Sequence, residues 1–326
     1  MDSGSEHSIN LPLVSEKEEN ICLPLVINVI SKYWGYDINL EETLEVAKKY
    51  HGMKGSIMIE GIEIAERHNF ISYIYKGTLN DLKKRIDQGV PPIVILPGIH
   101  DMVQHAAIIS GYSPKEKRIF TYVPQPDTIG AIPESKFEEE WEQDDKITLI
   151  IIPKDMDEIF KYEKNLKFIN SNRYCFEAEK SRLQGNLNDA LSKLQTAVNI
   201  DPENSQAWSL LGSIHNEFNL DHNNNKIEAD IFYEKAIKLN PKYYLAFRGL
   251  GNYHLKRKNY NLAEQYYSKA IKLNPNRYGP IYKNRASARL ELKNYSGAKE
   301  DLLHYLEQTP SARDKKIIED AIHQLN

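Results

Sequence analysis

The chain changes its hydrophobic rhythm near the middle. Before residue 153, short apolar runs such as "ISYIY", "PPIVIL", "HAAIISGY", "RIFTYV" and "ITLIIIP" stand between turn signals such as "GVPP", "LPG" and "SGYSP". Runs of that length with that punctuation read as strands. Ahead of and among them, apolar positions at helical spacing predict helices over 22–34 and near 40–50, 58–68 and 79–88. Helices first and strands clustered later describe an α+β arrangement, a helical lobe against an antiparallel sheet.

Beyond residue 170 the pattern turns helical and repeats itself. "ALSKLQTAVNIDP", "ADIFYEKAIKLNP" and "AEQYYSKAIKLNP" end at Pro202, Pro241 and Pro275, and "AKEDLLHYLEQTP" ends at Pro310. The steps are 39, 34 and 35 residues, the first holding the insertion "LDHNNNK". Ala190, Ala229, Ala263 and Ala298 begin the second helix of each unit. Ala197, Ala236 and Ala270 follow seven residues later, where two helices must approach closely, and the fourth unit has Tyr305 there. The first helices carry Trp208-Leu211-Gly212 and Phe247-Leu250-Gly251, packing stripes at helical spacing. "ARDKKIIEDAIHQL" reads as the capping helix such an array needs. The expected organisation is a domain over 1–153, a helical connection over 154–170 and a repeat array over 171–326.

At 326 residues the chain has room for about two domains. The formal charge of −4 hides an asymmetry: residues 1–153 hold 15 Lys/Arg against 24 Asp/Glu, and the remainder 27 against 22. That imbalance is too mild for a nucleic-acid partner, which shows a concentrated basic patch. Two cysteines in different halves make no disulfide framework and are expected to be reduced. The acidic start "MDSGSEHSINLPLVSEKEEN" has no apolar run of signal length, and no stretch has membrane-span length, so no membrane partner and a cytoplasmic location are expected. No glycine-rich phosphate loop is present, and no cofactor is expected.

The chemistry worth weighing starts at Cys22, which heads the apolar helix "CLPLVINVISKYWGY". A thiol at a helix N-terminus feels the helix dipole, which favours thiolate, the more so beside a histidine. His105 opens an apolar strand, so its imidazole emerges at a strand end. The plain alternative is a buried structural thiol and a satisfied strand histidine. "HDMVQH" puts His100 and His105 five residues apart with no further ligand cluster, so no metal site is expected. "FEEEWEQDD" reads as a solvated helix face, and Cys175 as packing or groove lining on the first repeat helix.

The Cys22 helix, "KGSIMIEGIEIAERHNF", "LNDLKKRIDQGVPPIVIL", "HAAIISGYSPKEKRIFTYVP" and "FEEEWEQDDKITLIIIP" resemble, in order, the papain-like cysteine peptidases that process bacteriocin double-glycine leaders. The repeats over 171–310 resemble the tetratricopeptide (TPR) repeat. The resemblances imply an α+β papain-like N-terminal domain followed by an all-α TPR solenoid. They imply Cys22 as nucleophile and His105 as general base. Three positions depart from the family pattern: Leu23 replaces a glycine, Glu16 stands where a glutamine donates to the oxyanion, and Val123 occupies the slot of the residue that orients the histidine. Asn20 and Gln125 stand nearest to take over those two roles, with Asp127 close by. On the TPR pattern Arg182, Asn216, Arg248, Asn252, Lys283 and Asn284 line the concave groove. Arg248, Asn252 and Asn284 are placed like part of a clamp for a C-terminal carboxylate, although a solvated groove is polar in any case. Two functions follow: a peptidase-like enzyme acting on a peptide or protein substrate, with a protein partner in the TPR groove, or an inactive peptidase-like scaffold that serves as an interaction adaptor.

Overall fold

The computed structural model describes residues 6–13, 22–48, 58–98, 104–124, 128–160, 163, 169–221, 228–310 and 312–325. In chain order the elements are β1 (His7–Ser8), α1 (Cys22–Tyr33), α2 (Leu40–Lys48), α3 (Met58–Arg67), β2 (Phe70–Lys76), α4 (Leu79–Asp87), β3 (Ile93–Pro97), β4 (Gln104–Ser113), β5 (Arg118–Val123), β6 (Thr128–Pro133), α5 (Glu134–Glu142), β7 (Ile147–Pro153) and α6 (Asp157–Phe160). The helical series follows: α7 (Ile169–Leu183), α8 (Leu187–Ile200), α9 (Ser205–Asp221), α10 (Asp230–Leu239), α11 (Tyr244–Lys256), α12 (Tyr260–Leu273), α13 (Pro280–Glu291), α14 (Tyr295–Gln308) and α15 (Lys315–Gln324). Two compact units result, Met1–Leu96 with His105–Ala207, and Pro97–Gln104 with Trp208–Asn326.

The first unit is built on a seven-stranded sheet in the order β2-β7-β3-β4-β5-β6, with β1 laid beside β4. Strand alternation explains why its central strands are apolar throughout. Ile93 and Ile95 of β3, Ala106 and Ile108 of β4, and Ile147, Leu149 and Ile151 of β7 join a core with α1 and α3. Their neighbours Val94, Leu96, Ala107 and Ile109 turn to the opposite face, into a core with Leu82 and Ile86 of α4 and Phe137 and Trp141 of α5. A strand covered on both faces needs a side chain for each, which erases polar alternation.

Three expectations are refined. "FEEEWEQDD" is not simply a solvated face: Phe137 and Trp141 are fully buried, and Asp144 and Asp145 are 1% exposed. The Trp141 indole donates to the Ile147 carbonyl at 3.1 Å, tying α5 to the strand that follows. Two strands, β1 and β6, carry too short or too broken an apolar pattern to stand out in the sequence. β1 depends on Gly111, where a Cβ would sit 2.4 Å from the His7 carbonyl oxygen.

The helices α7 and α8, which the repeat pattern groups with the array, belong to the same compact unit as the sheet. Phe176 of α7 is buried in the core formed by α1, α3 and the sheet. Arg173 grips Glu66 of α3 with two bonds, Nη1 to Oε1 at 2.7 Å and Nη2 to Oε2 at 2.9 Å. Lys180 holds Glu63 at 2.6 Å.

In the second unit the repeat logic is followed closely. Ala229, Ala236, Ala263, Ala270 and Ala298 are fully buried where helices cross. Tyr233 lies against Gly212 and Gly249, and Tyr267 against Gly251, so each ring fills the space a side chain would take. The Asn294 side chain accepts from the Gly297 amide to cap α14. α15 packs through Ile318 and Ile322 on the last repeat, as a capping helix should.

Candidate active site

The helix α1 is held at its C-terminal end by two long-range bonds. Tyr33 donates its hydroxyl to the Gly89 carbonyl at 2.7 Å, just before β3 begins, and the Trp34 indole donates to the Ile151 carbonyl at 3.0 Å, near the end of β7. Both anchors lie at one end of the sheet. The twelve residues of α1 span about 18 Å, and the five of β3 about 17 Å. The helix is thus about as long as the strand, and Cys22 is its first residue. β4 begins at the end of the sheet away from those two anchors. The connection from Pro97 to Gln104 is too short for a parallel crossover, so β4 returns antiparallel to β3. Cys22 and His105 are 83 residues apart in sequence, at the starts of α1 and β4.

His105 is the second residue of β4. Its parity is that of Ala107 and Ile109, which join the core with α4 and α5, opposite the face that α1 covers. The ring is partly covered, and Nδ1 is buried with no hydrogen-bond partner among the described residues. Burial holds its pKa below the usual histidine range. The imidazole is consequently neutral at pH 7, a state that accepts a thiol proton and does not provide a standing imidazolium. Val123, last residue of β5, offers no polar atom in its side chain to select a tautomer. The side chain of Cys22, and Glu16, Asn20, Gln125 and Asp127 altogether, lie outside the described residues, as does His100.

The proposed groove residues fall on the first helices of successive repeats. Asn252 on α11 and Asn284 on α13 touch directly, Nδ2 of Asn284 donating to Oδ1 of Asn252 at 3.3 Å, while the Tyr267 hydroxyl donates to the same oxygen at 2.8 Å. Arg248, one turn before Asn252, stacks its guanidinium 5.0 Å from the Tyr278 ring centre, and its buried Nε has no hydrogen-bond partner among the described residues. Lys283 is already engaged by Asp314 at 2.8 Å. Asn216 on α9 accepts from Arg257 at 3.4 Å. Arg182 on α7 lies 3.5 Å from Glu179, within the first unit. Cys175 is fully buried in α7, and burial pushes its thiol well above the ordinary range.

One polar cluster has no counterpart in the sequence reading. His7 Nδ1 meets Asp87 at 2.7 Å, and the Tyr112 hydroxyl donates to the same carboxylate at 2.9 Å. Nothing local signals it, because its members come from β1, α4 and β4. Among the described residues no group of three His, Cys, Asp or Glu side chains is arranged to hold a metal ion. No helix among them is long and apolar enough to cross a membrane.

Residues 8–149 match the model of the Peptidase C39-like family, and residues 205–243 and 244–277 each match a tetratricopeptide repeat model. No curated protein matches the sequence. Among solved structures, a thermophilic TPR protein from Thermus thermophilus is 17% identical over 52% of this chain and 87% of that one, with a TM-score of 0.42. The peptidase domain of Streptococcus ComA, a bifunctional ABC transporter involved in a quorum-sensing pathway, is 19% identical over 43% of this chain and 97% of that domain, with a TM-score of 0.37. PilF of Pseudomonas aeruginosa is 22% identical over 48% of this chain and 67% of that one, with a TM-score of 0.41.

Proposed function

From a Peptidase C39-like domain at residues 8–149 and tetratricopeptide repeats at 205–277, we propose a peptidase-like protein that performs thiol-dependent acyl transfer on a peptide, with the repeats binding a protein partner or the substrate. The observation that supports this reading is the match of residues 8–149 to the Peptidase C39-like model, with Cys22 heading α1 and His105 the second residue of β4. In the proposed cycle His105 takes the thiol proton, and the sulfur attacks the peptide carbonyl. The amine leaves with the proton from His105, and a thioester remains. Water then attacks the thioester while His105 accepts its proton. The acid is released and the thiol restored.

The rate expected is modest. An orienting partner that fixes a catalytic histidine's tautomer is worth up to about 10⁴ in turnover in serine enzymes. A thiol is less dependent on it because it is the stronger nucleophile. The same unpartnered Nδ1 supports a second reading, in which the domain keeps the fold and binds peptide without cleaving it.

Iodoacetamide labelling of Cys22 against pH, read by mass spectrometry, separates the two. Cys175 is a silent internal control because its thiol is buried and hard to ionise. Labelling that is fast near neutral pH and lost in His105→Ala supports acyl transfer. Labelling like that of a free thiol in both proteins sinks it and leaves the binding scaffold.

A further inference from the structure

The first helices of successive units, α11 and α13, are joined side chain to side chain along the face that lines an array of this kind. Asn284 of α13 donates to Asn252 of α11. The next link in the row runs to α15, the helix that follows the last unit: Lys283 of α13 bonds Asp314, the residue at the N-cap of α15, at 2.8 Å. An aspartate there ordinarily accepts from the amides of its own first turn. Asp314 makes no such cap bond. One of its oxygens takes the Lys283 ammonium, and the other accepts from the Tyr305 hydroxyl at 2.7 Å. The ammonium also lies 5.1 Å from the Tyr305 ring centre, so the two groups that hold the carboxylate pack on each other.

Tyr305 is the departure in the fourth unit. Ala197, Ala236 and Ala270 hold its position in the others, and a methyl there would leave Lys283 no hydroxyl with which to share a carboxylate. Burial works against the charge on Asp314, but bonds from Lys283 and Tyr305 outweigh it and keep the carboxyl below its usual range, so it is ionised at neutral pH. The place stays reachable, since Lys283 and Asp314 keep 36% and 30% of their side-chain surface in water. The rest of the row is rich in donors. Asn252 spends its oxygen on Tyr267 and Asn284, which leaves its amide nitrogen to donate. Arg248 makes no ion pair among the described residues. Among those residues Asp314 is the one carboxylate bonded to Arg248, Asn252, Lys283 or Asn284.

We propose that Lys283 and Tyr305 form a carboxylate receptor which the chain fills with its own Asp314, so that the row stays self-occupied until an acidic segment of a protein partner displaces that carboxylate. The proposal rests on the reading of the repeats as partner-binding, and adds the partner's chemistry and the contact it must break. The exchange is even: one carboxylate leaves the ammonium and the hydroxyl, and another arrives. Asp314 then turns to the first-turn amides of α15, which it leaves uncapped while it serves Lys283. Only the side chain has to move, because Ile318 and Ile322 keep α15 on the last unit. A partly open ion pair favours the closed state about fivefold. An occupied receptor weakens the partner's apparent affinity by about the same factor.

The test uses the full chain and, as probe, an acetylated and amidated hexaglutamate, which brings side-chain carboxylates and no terminal one. Binding is followed at fixed salt by the NMR shifts of the α13 and α15 amides. Asp314→Asn and Asp314→Ser are both neutral and both suit an N-cap. Each should bind the probe about fivefold more tightly than wild type. Lys283→Met should weaken binding and abolish that gain, and hexaglutamine should bind no variant. Equal affinity of wild type and the two neutral variants overturns the proposal, as does no binding by Asp314→Asn at millimolar probe. So does faster hydrogen exchange at the Ile318 and Ile322 amides in both neutral variants, which makes Asp314 a structural strut. A gain that survives Lys283→Met removes this inference and leaves the repeats a surface for acidic partners.

Discussion

Replacing Phe176 with alanine should destabilise the peptidase-like unit, although the residue belongs to a helix that the repeat pattern assigns to the TPR array. The ring is 7% exposed and shares a core with Ile59, Ile62, Phe70 and Ile74 on α3 and β2. Phe→Ala at such a site costs about 3–5 kcal/mol, and the low end applies here because α7 retains its ionic grip. For a unit of this size that is a fall of roughly 6–12 °C in Tm. The grip is a separate contribution. Arg173 and Glu66 keep 35% and 29% of their side-chain surface in water, so their double-mutant coupling should be about 1 kcal/mol after solvent screening. Burial raises the Glu66 pKa, and hydrogen bonds from Arg173 and Ser72 outweigh it, leaving the carboxyl below its usual range. The stabilisation is present above the unfolded carboxyl's pKa and is lost as pH falls through the folded one. The assay is thermal melting of the full chain with hydrogen exchange on β2 and α3. If Phe176→Ala melts and exchanges there like wild type, α7 is not part of that core and the reasoning fails.

Trp141→Ala should cost about 3–5 kcal/mol, since the indole is fully buried and its N–H is bonded to the Ile147 carbonyl; urea denaturation would show it, and a cost under 1 kcal/mol would remove α5 from the core. His215 stacks on Phe232 and His254 on Tyr266, and burial holds both pKa values below the usual range. Their unfolded forms bind protons first, so the TPR unit should be fully stable above pH about 6.5 and lose stability as pH falls below it. Urea midpoints at pH 7.5 and 5.5 test the sign, and Phe at both histidine positions should flatten the difference. Gly111→Ala should displace β1, because the new methyl would meet the His7 carbonyl oxygen at 2.4 Å; faster exchange at the Ile9 amide, which donates to the Ser110 carbonyl, is the readout.

The repeat half is legible residue by residue because its constraints are local and recur. An alanine at each helix crossing, a glycine opposite each tyrosine and a proline after each second helix say the same thing several times. The departures in the fourth unit are equally readable, since Tyr305 stays buried and bonds Asp314 at 2.7 Å. The strands β2, β3, β4, β5 and β7 and the helices α1 to α4 fall where their apolar runs predict. β1 and β6 do not show in the pattern. A two-residue strand is defined by its partner, and β6 carries a glycine and two outward residues that face water.

Cys22 and His105 are recognisable as candidates from residue type and position on an element, and residues 8–149 match the peptidase family. The protonation state of His105 is another matter. It depends on burial of the ring in the folded protein, which a local pattern does not state. The groove residues are similar: the array's period puts Arg248, Asn252 and Asn284 on one face, but only packing shows Asn252 holding both Tyr267 and Asn284, and Lys283 spent on Asp314.

By itself the sequence determined the two architectures, the order of their elements and the residue types available for chemistry, because periodicity and turn residues act over a few positions. The tertiary structure decided which strands are edges, which face of α5 is buried, and that α7 shares the sheet's core. Those outcomes come from pairing and burial between segments tens to hundreds of residues apart. A local pattern states that a surface must be covered; it does not say by what.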